Sequence, residues 1–449
     1  MPLDPAGMAP ILMESSPFAS HFADLKPLLE ITGPAWLQSA RERGFHEFEA
    51  VGVPTTRDEE FKYLPLRPLT EWKLAPAHGA TLDRQQVAKL TLGEIDAITL
   101  TFINGQFAPE VSTDDLLPDG VFVLPFEDAF LAMPETFEKW LGKVATTSQK
   151  LGTTNDDRFI ALNTAFLQDG AFVYVPKNTK IVRPIHLQFV SDASVSPIAI
   201  HPRVLVVLED HAEAVILESH VGQTGQYFTN PVTEVVLGAG AQLEHVRYQD
   251  ETDSAVHIGN FAVHQSENSV LNSIVAQFGS AIARLDATVW VGGSNAETWL
   301  NGASVGRGHQ RIDNHTRIDH ALPHCQSFEV YKTILDDHAH GVFNGKIFVY
   351  QDAQKTDAKQ TNQGLLLSPT AELDTKPQLE IFADDVKCTH GATVGQLRED
   401  ALFYLRARGI PKKEAEALLV YAFAAEVFEK ISEPSIQAAI EARLFQKLA

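Results

Sequence analysis

The chain has 449 residues, 44% of them hydrophobic and 21% charged, and a formal net charge of −22. A chain of this length and composition can bury a large core, which excludes a wholly disordered protein, and its acidity argues against nucleic acid or an anionic membrane as a partner. Its 2 cysteines, Cys325 and Cys388, exclude a disulfide framework, a four-cysteine zinc site and an iron–sulfur cluster held by the cysteines of this chain alone.

Residues 1–95 are predicted to form an N-terminal helical domain. Apolar residues recur at three- and four-residue steps between Phe18 and Leu29, which indicates an amphipathic helix. Pro34 stands where a second helix would begin, and the apolar pattern of that helix continues to Phe48. We expect this domain to cap or dock onto the rest of the chain.

Residues 96–392 are predicted to be mainly β. Short runs rich in Val, Ile and Leu, such as Val204–Leu208, are separated by Gly, Asn and Asp, and no helical pattern alternates with them, which argues against a doubly wound sheet. Steps from a polar residue or glycine to a small residue recur at intervals of 27, 28 and 27 residues, at Glu213-Ala214, Gly240-Ala241, Asn268-Ser269 and Asn295-Ala296. This period is typical of one coil of a parallel β-helix. An antiparallel sandwich with strands of similar length is the alternative.

Residues 393–449 are predicted to form a C-terminal helical domain. Gly409 and Pro411 end one helix and start the next, and a terminal helix follows from Glu433 to Leu448. The segment from Tyr421 to Ala425 is apolar nearly all round, so it needs a partner surface. That surface is either a neighbouring helix or another protein.

Several common catalytic motifs are missing. The segment Gly341–Lys346 is one residue too short for a phosphate-binding loop and lacks its hydroxyl residue, and there is no G-x-S-x-G or C-x-x-C motif.

The start of the chain lacks a basic segment followed by an apolar one, and no stretch approaches the ~18 apolar residues of a spanning helix. We therefore expect a cytoplasmic protein.

Histidine is concentrated in the strand-rich part, where thirteen of the 17 histidines lie between His186 and His340. One group comprises His315, His320, His324 and Cys325. In a second group, His338 and His340 would share one face of a strand and could bind one metal ion, although the glutamate that a cupin needs is missing. In a third, Cys388 and His390 share a face in the same way and offer a thiolate and an imidazole, ligands that suit iron or zinc. Two ligands do not complete a site, so the remaining ones would come from elsewhere.

The stretch PQLEIFADDVKCTHGATVG at 377–395 resembles the signature of the SufB/SufD family of iron–sulfur cluster assembly proteins. Segments on either side resemble other parts of the same family: RDEEFKY at 57–63, DAQKTDAKQTNQ at 352–363, LFYLRARGI at 402–410 and AFAAE at 422–426. The resemblance is closest to the SufD branch. The SufB branch carries a sulfur-handling cysteine where this chain has Leu405, so a SufB-type sulfur role is not expected.

This resemblance implies a right-handed parallel β-helix core flanked by N-terminal and C-terminal helical domains, in a non-catalytic scaffold subunit of a SufB–SufC–SufD complex. The β-helix would pair with a SufB-like subunit, and a nascent iron–sulfur cluster would form at that interface; this chain would hold none alone and could form a homodimer when alone. By motif match His390 is the first candidate for cluster assembly and Cys388 the second. The C-terminal helices would dock the SufC-like ATPase through residues that include Leu405, Tyr404, Arg406, Tyr421 and Phe423.

Two other functions remain open on the sequence. A β-helix enzyme acting on polysaccharide would need a groove of clustered carboxylates or basic residues along the coils. A mononuclear metalloprotein would use His338 and His340 as ligands.

Overall fold

The computed structural model of the protein describes residues 16–77, 82–93, 95–113, 116–145, 157–194 and 197–448. Ten α-helices lie in this part of the chain: α1 Pro17–Leu29, α2 Ala35–Val51, α3 Arg67–Glu71, α4 Arg84–Leu90, α5 Phe126–Ala132, α6 Pro134–Trp140, α7 Arg158–Ala165, α8 Glu399–Ala407, α9 Lys412–Phe428 and α10 Pro434–Leu448. Short 3₁₀ helices lie at Glu59–Phe61 and Pro109–Val111.

The described part of the chain contains the following β-strands. They are β1 Ala75–Pro76, β2 Ile98–Ile103, β3 Gln106–Phe107, β4 Phe122–Pro125, β5 Gly170–Val175, β6 Ile185–Ser191, β7 Ile198–Ile200, β8 Arg203–Leu208, β9 Glu213–Gly222, β10 Tyr227–Thr229, β11 Val232–Leu237, β12 Gln242–Asp250, β13 Val256–Gln265, β14 Val270–Gln277, β15 Ile282–Val291, β16 Glu297–Gly306, β17 Arg311–His320, β18 Gln326–Leu335, β19 His340–Val349, β20 Asp357–Leu366, β21 Glu372–Ile381 and β22 Lys387–Gly395.

Two sheets face each other, and from β8 onward most consecutive long strands of the chain alternate between them. The first sheet has the order β21-β19-β17-β15-β13-β11-β8-β5-β4, and the second has the order β22-β20-β18-β16-β14-β12-β9-β6-β2-β3. All neighbours in these two orders are parallel except the β4–β5 and β2–β3 pairs. Each coil therefore contributes one strand to each sheet, which is a parallel β-helix of about eight coils. The prediction of a mainly β chain with a parallel β-helix flanked by helices is confirmed, and the sandwich alternative is wrong.

One corner of the coil explains the repeat seen in the sequence. At this corner a residue with φ between 56° and 67° precedes a small buried residue, at His211-Ala212, Gly240-Ala241, Asn268-Ser269, Asn295-Ala296, His324-Cys325 and Lys355-Thr356. The backbone N–H that follows each small residue donates to the small residue one coil back, as Gln242 does to Ala212 at 2.8 Å. The sequence repeat placed its first step at Glu213-Ala214, two residues too late, because Glu213 already pairs with Gln242 inside the strands.

The helices cover the outer faces of the two sheets. Helices α1, α2 and α7 pack on the first sheet, with Phe18 and Phe48 fully buried between them and the strands. Helices α9 and α10 pack on the second sheet through a cluster that includes Val420, Phe428 and Ile440. The apolar helix predicted at 421–425 thus finds its partner surface within the chain. None of the described helices is long and apolar enough to cross a membrane.

Candidate functional site

The C-terminal end of the β-helix is open. The last strands, β21 and β22, each pair on one side only, with β19 and β20 respectively, and no described strand covers their outer edges. Every residue of β22 is exposed except Cys388, which is half-buried. Large apolar side chains are exposed there as well: Ile381 by 38%, Phe382 by 59% and Val394 by 44%. Two long strands with uncovered edges and exposed apolar side chains beside them give this end the properties of an unfilled interface.

Cys388 and His390 lie on this edge and face the same way. Cys388 is in register with Ala358, and His390 with Gln360. Ala358 and Gln360 are both buried inside the β-helix, and paired residues of parallel strands point to the same side of a sheet. The shared face predicted for Cys388 and His390 is therefore confirmed, and it is the inner face of the last coil.

The thiol of Cys388 is held in its protonated form. Burial against Ala358 and its neighbours raises the pKa of Cys388, and the carboxylate of Asp357 raises it further. A thiol becomes a good ligand or nucleophile only as the thiolate. An incoming cation would provide the positive charge that favours this ionisation.

The described residues contain no group of three or more His, Cys, Asp or Glu side chains that could bind a metal ion. Cys388 and His390 present one sulfur and one nitrogen atom, which are ligand types that suit iron, but two ligands are fewer than the four protein ligands that an iron–sulfur cluster commonly takes. Any cluster at this edge therefore needs ligands from outside the described part of this chain.

The other histidines of the sequence groups do not converge. His320 points into the β-helix and shares a hydrogen bond with Ser327 at 2.9 Å, whereas His315 lies on the outer face. Cys325 belongs to the buried corner and donates to the carbonyl of Gly293 at 3.1 Å. His340 contacts Asp374 at 2.7 Å. His338 instead stacks on His309, with ring centroids 5.1 Å apart. The first predicted group is thus dispersed. The prediction that His338 and His340 share one strand face is wrong, because β19 begins at His340 and His338 lies in the turn before it.

An ionic network on the outer face of the first sheet was not predicted from the sequence. Arg284 is bonded to Asp286 at 2.7 Å and to Asp313 at 2.6 Å, and its Nη1 donates to the carbonyl of Glu60. His315 lies between Asp313 and Glu60, at 2.9 and 3.2 Å. The side-chain carboxylates of Asp286, Asp313 and Glu60 in this network are therefore engaged in ion pairs.

A second buried network inside the β-helix was also missed. Glu218 contacts His220 at 2.7 Å, His245 at 3.0 Å and Arg247 at 2.9 Å, and none of the four is more than 2% exposed. Burial lowers the pKa of His220 to about 4, so its imidazole is neutral. The alternation Glu218-x-His220 and His245-x-Arg247 was the available signal, because alternate residues of a strand share one face.

The five residues predicted to dock an ATPase lie in two different settings. Helix α8 carries Tyr404, Leu405 and Arg406, and none of its residues is buried; Phe403 beside them is 75% exposed. Helix α9 carries Tyr421 and Phe423, and both residues form hydrogen bonds with other parts of the chain.

The hydroxyl of Tyr421 donates to Glu441 at 2.7 Å, and the carbonyl of Phe423 accepts from Lys332 at 2.9 Å. The most exposed apolar side chains of the C-terminal helices, Phe403 and Tyr404, are therefore on α8, ahead of Phe445 on α10 and Leu418 on α9. The docking role itself stays a prediction.

Comparison with known proteins identifies the family. Residues 189–423 match the family model described as SUF system FeS cluster assembly, SufBD core domain, and residues 13–187 match the SufBD protein N-terminal region. The chain is 35% identical over 394 residues to an iron–sulfur cluster assembly SufBD family protein of Synechocystis sp., covering 86% of this chain and 85% of that protein.

Two proteins named SufD are also similar. The Escherichia coli protein is 30% identical, covering 88% of this chain and 90% of its own length, and the Bacillus subtilis protein is 26% identical, covering 89% and 91%. Both matches extend over the helical and the β-helical parts. The chain belongs to the SufBD family of the SUF iron–sulfur cluster assembly system.

Proposed function

We propose that this chain is a SufD-like scaffold subunit of a SufB–SufC–SufD complex in the cytoplasm, without catalytic activity of its own. The single observation that carries the proposal is the open end of the β-helix, where an unpaired edge presents Cys388 and His390. A SufB-like subunit with a matching edge would cover the exposed Ile381, Phe382 and Val394 and extend both sheets by main-chain hydrogen bonds.

The nascent iron–sulfur cluster would then form between the two subunits as cargo. This chain would supply the imidazole of His390 and, after loss of its proton, the thiolate of Cys388, and the partner would supply the other ligands. In the absence of the SufB-like subunit, the same edge would pair with a second copy of this chain. The SufC-like ATPase would dock on α8, where Phe403 and Tyr404 are the most exposed large apolar side chains.

The test is co-expression with SufB-type and SufC-type partners, followed by pull-down and by iron and sulfide analysis. We expect one ternary complex, with iron and sulfide that the isolated chain does not hold and ATPase activity that the isolated chain does not show. An isolated chain that binds a full cluster by itself would contradict the proposal.

Point variants separate the two surfaces. His390→Ala should leave the complex assembled but without cluster, whereas Thr389→Ala, the neighbouring residue on the opposite face of β22, should retain it. Phe403→Ser should release the ATPase subunit and leave the SufB-type partner bound, because α8 does not contribute to the open end. Unchanged cluster content in His390→Ala would remove this residue from the mechanism.

A further inference from the structure

A column of polar side chains leads from the interior of the β-helix to His390. His390 is in register with Gln360 on β20, and Gln360 is in register with Glu329 on β18. The three side chains therefore point to the same face of one sheet, with neighbouring strands about 4.8 Å apart. Glu329 and Gln360 are each only 1% exposed, and His390 is exposed at the open end.

The two buried members of this column are joined by a hydrogen bond with a defined direction. Gln360 Nε2 donates to Glu329 Oε2 at 2.8 Å. A carboxylate can only accept hydrogen bonds, so it selects the NH₂ end of the amide and leaves the carbonyl oxygen free. Gln360 Oε1 is buried and has no donor among the described residues. A buried acceptor without a donor is unfavourable, and the nearest position along the column is His390.

Glu329 occupies a site that does not favour its charge. Burial raises its pKa to about 7, and the hydrogen bond from Gln360 opposes this only in part. Burial, together with the Glu329 carboxyl group, in turn raises the pKa of Tyr331 on the same strand. Apolar packing would fill this position at lower cost. A carboxyl group that is kept there, in line with a candidate ligand, indicates a role other than packing.

We propose that Gln360, oriented by Glu329, is a positioning residue for His390. This inference rests on the role of His390 in the proposed function. The two side chains are not hydrogen-bonded in this structure. When the ring of His390 turns toward Gln360, the free carbonyl oxygen accepts the proton of one ring nitrogen, and the other ring nitrogen presents its lone pair at the open end. The ligand that this arrangement favours is a divalent transition-metal cation such as ferrous iron, because a metal binds the unprotonated nitrogen of a neutral imidazole.

The test measures the tautomer of His390 directly in the full-length chain. Imidazole ¹⁵N NMR spectra are recorded at pH 8.5 with ¹⁵N-histidine labelling, and the His390 signals are assigned by their loss in His390→Asn. We expect one dominant tautomer in the unmodified chain. Gln360→Leu, which removes the acceptor, should change the tautomer ratio about tenfold. Glu329→Gln should act in the same direction, because a second amide no longer dictates which end of Gln360 is free.

The matched control is Gln363→Leu, the same residue type on the same strand but facing outward, in register with Lys332. It should leave the tautomer ratio of His390 unchanged. If Gln360→Leu does not fold, Glu329→Gln, which keeps the shape of the side chain, decides the question alone.

Unchanged His390 signals in the folded variants would overturn the positioning role. That result is independent of the pull-down, which tests the SufB-type partner. Failure of the pull-down would overturn the proposed function while leaving the NMR result to stand.

Discussion

His315 fastens the acidic N-terminal segment around Glu60 to the outer face of the β-helix. Its Nδ1 lies 3.2 Å from Glu60 Oε2, and its Nε2 lies 2.9 Å from Asp313 Oδ1. Burial and the nearby Arg284 disfavour the imidazolium form, but Asp313 and Glu60 outweigh them and raise the pKa of His315 from 6.5 to about 8. His315 is therefore charged at neutral pH in the folded protein.

The sign and size of the resulting pH dependence follow from linkage. The pKa of His315 is higher in the folded chain than in the unfolded chain, so folding takes up a proton. The contribution of His315 to the free energy of unfolding is complete below pH 6.5 and is lost as the pH rises through about 8. At about 1.4 kcal/mol for each pKa unit, it amounts to about 2 kcal/mol.

The assay compares the unmodified chain with His315→Gln, which keeps a polar side chain of similar size but cannot be charged. Urea unfolding at pH 6 and at pH 9 gives the free energy of unfolding of both proteins. We expect the loss caused by the substitution to be about 2 kcal/mol larger at pH 6 than at pH 9. Because the other titrating groups are common to both proteins, their contributions cancel in this comparison. An equal loss at both pH values would refute the reasoning.

Three further predictions concern other titratable side chains of the β-helix. His320→Gln should show a pH dependence of the opposite sign, because burial lowers the pKa of His320 to about 4. Between pH 8 and pH 5 the unmodified chain should lose about 2 kcal/mol of its free energy of unfolding, and the variant should keep it, as the same urea experiment would show. The raised pKa of Glu329 makes the unmodified chain lose stability as the pH rises from 4.5 through about 7. Glu329→Gln should therefore raise the free energy of unfolding by up to about 3 kcal/mol at pH 8.5 relative to its effect at pH 4.5. A variant with no such gain would show that the carboxylate is compensated. A thiol reagent should modify Cys388 in the folded chain, faster at pH 9 than at pH 7, and Cys325 only after unfolding, as mass spectrometry of the labelled peptides would show.

The sequence predicted the β-helical coil but not the polar contacts between side chains of different coils. Small residues such as Ala241, Ser269 and Ala296 recur because only they fit the buried corner, and this regularity survives in the sequence. From β5 onward the paired positions of successive coils are 26 to 33 residues apart, however, so no single period could bring Gln360 beneath His390 or Glu329 beneath Gln360. The contact between Glu60 and His315 joins segments that no local pattern connects.

Proximity along the chain was misleading for the central histidines. His315 and His320 are an odd number of residues apart on β17, so their side chains point to opposite faces of the sheet. Cys388 and His390 are two residues apart and share a face, as strand alternation predicts, and their joint role stays a prediction. Strand alternation thus decides which neighbours in the sequence can act together.

The anchoring of α9 to β18 has a mechanical consequence. Lys332, whose side chain is 2% exposed, is bound to the carbonyl of Phe423 and to the carboxylate of Glu426 on α9. Strand β18 is separated from β22 only by β20, a distance of about 10 Å across two rows of hydrogen bonds. A load applied to the C-terminal helices would therefore pass through Lys332 and the apolar contacts of α9 into the second sheet, and would reach the edge that carries His390 after two strands.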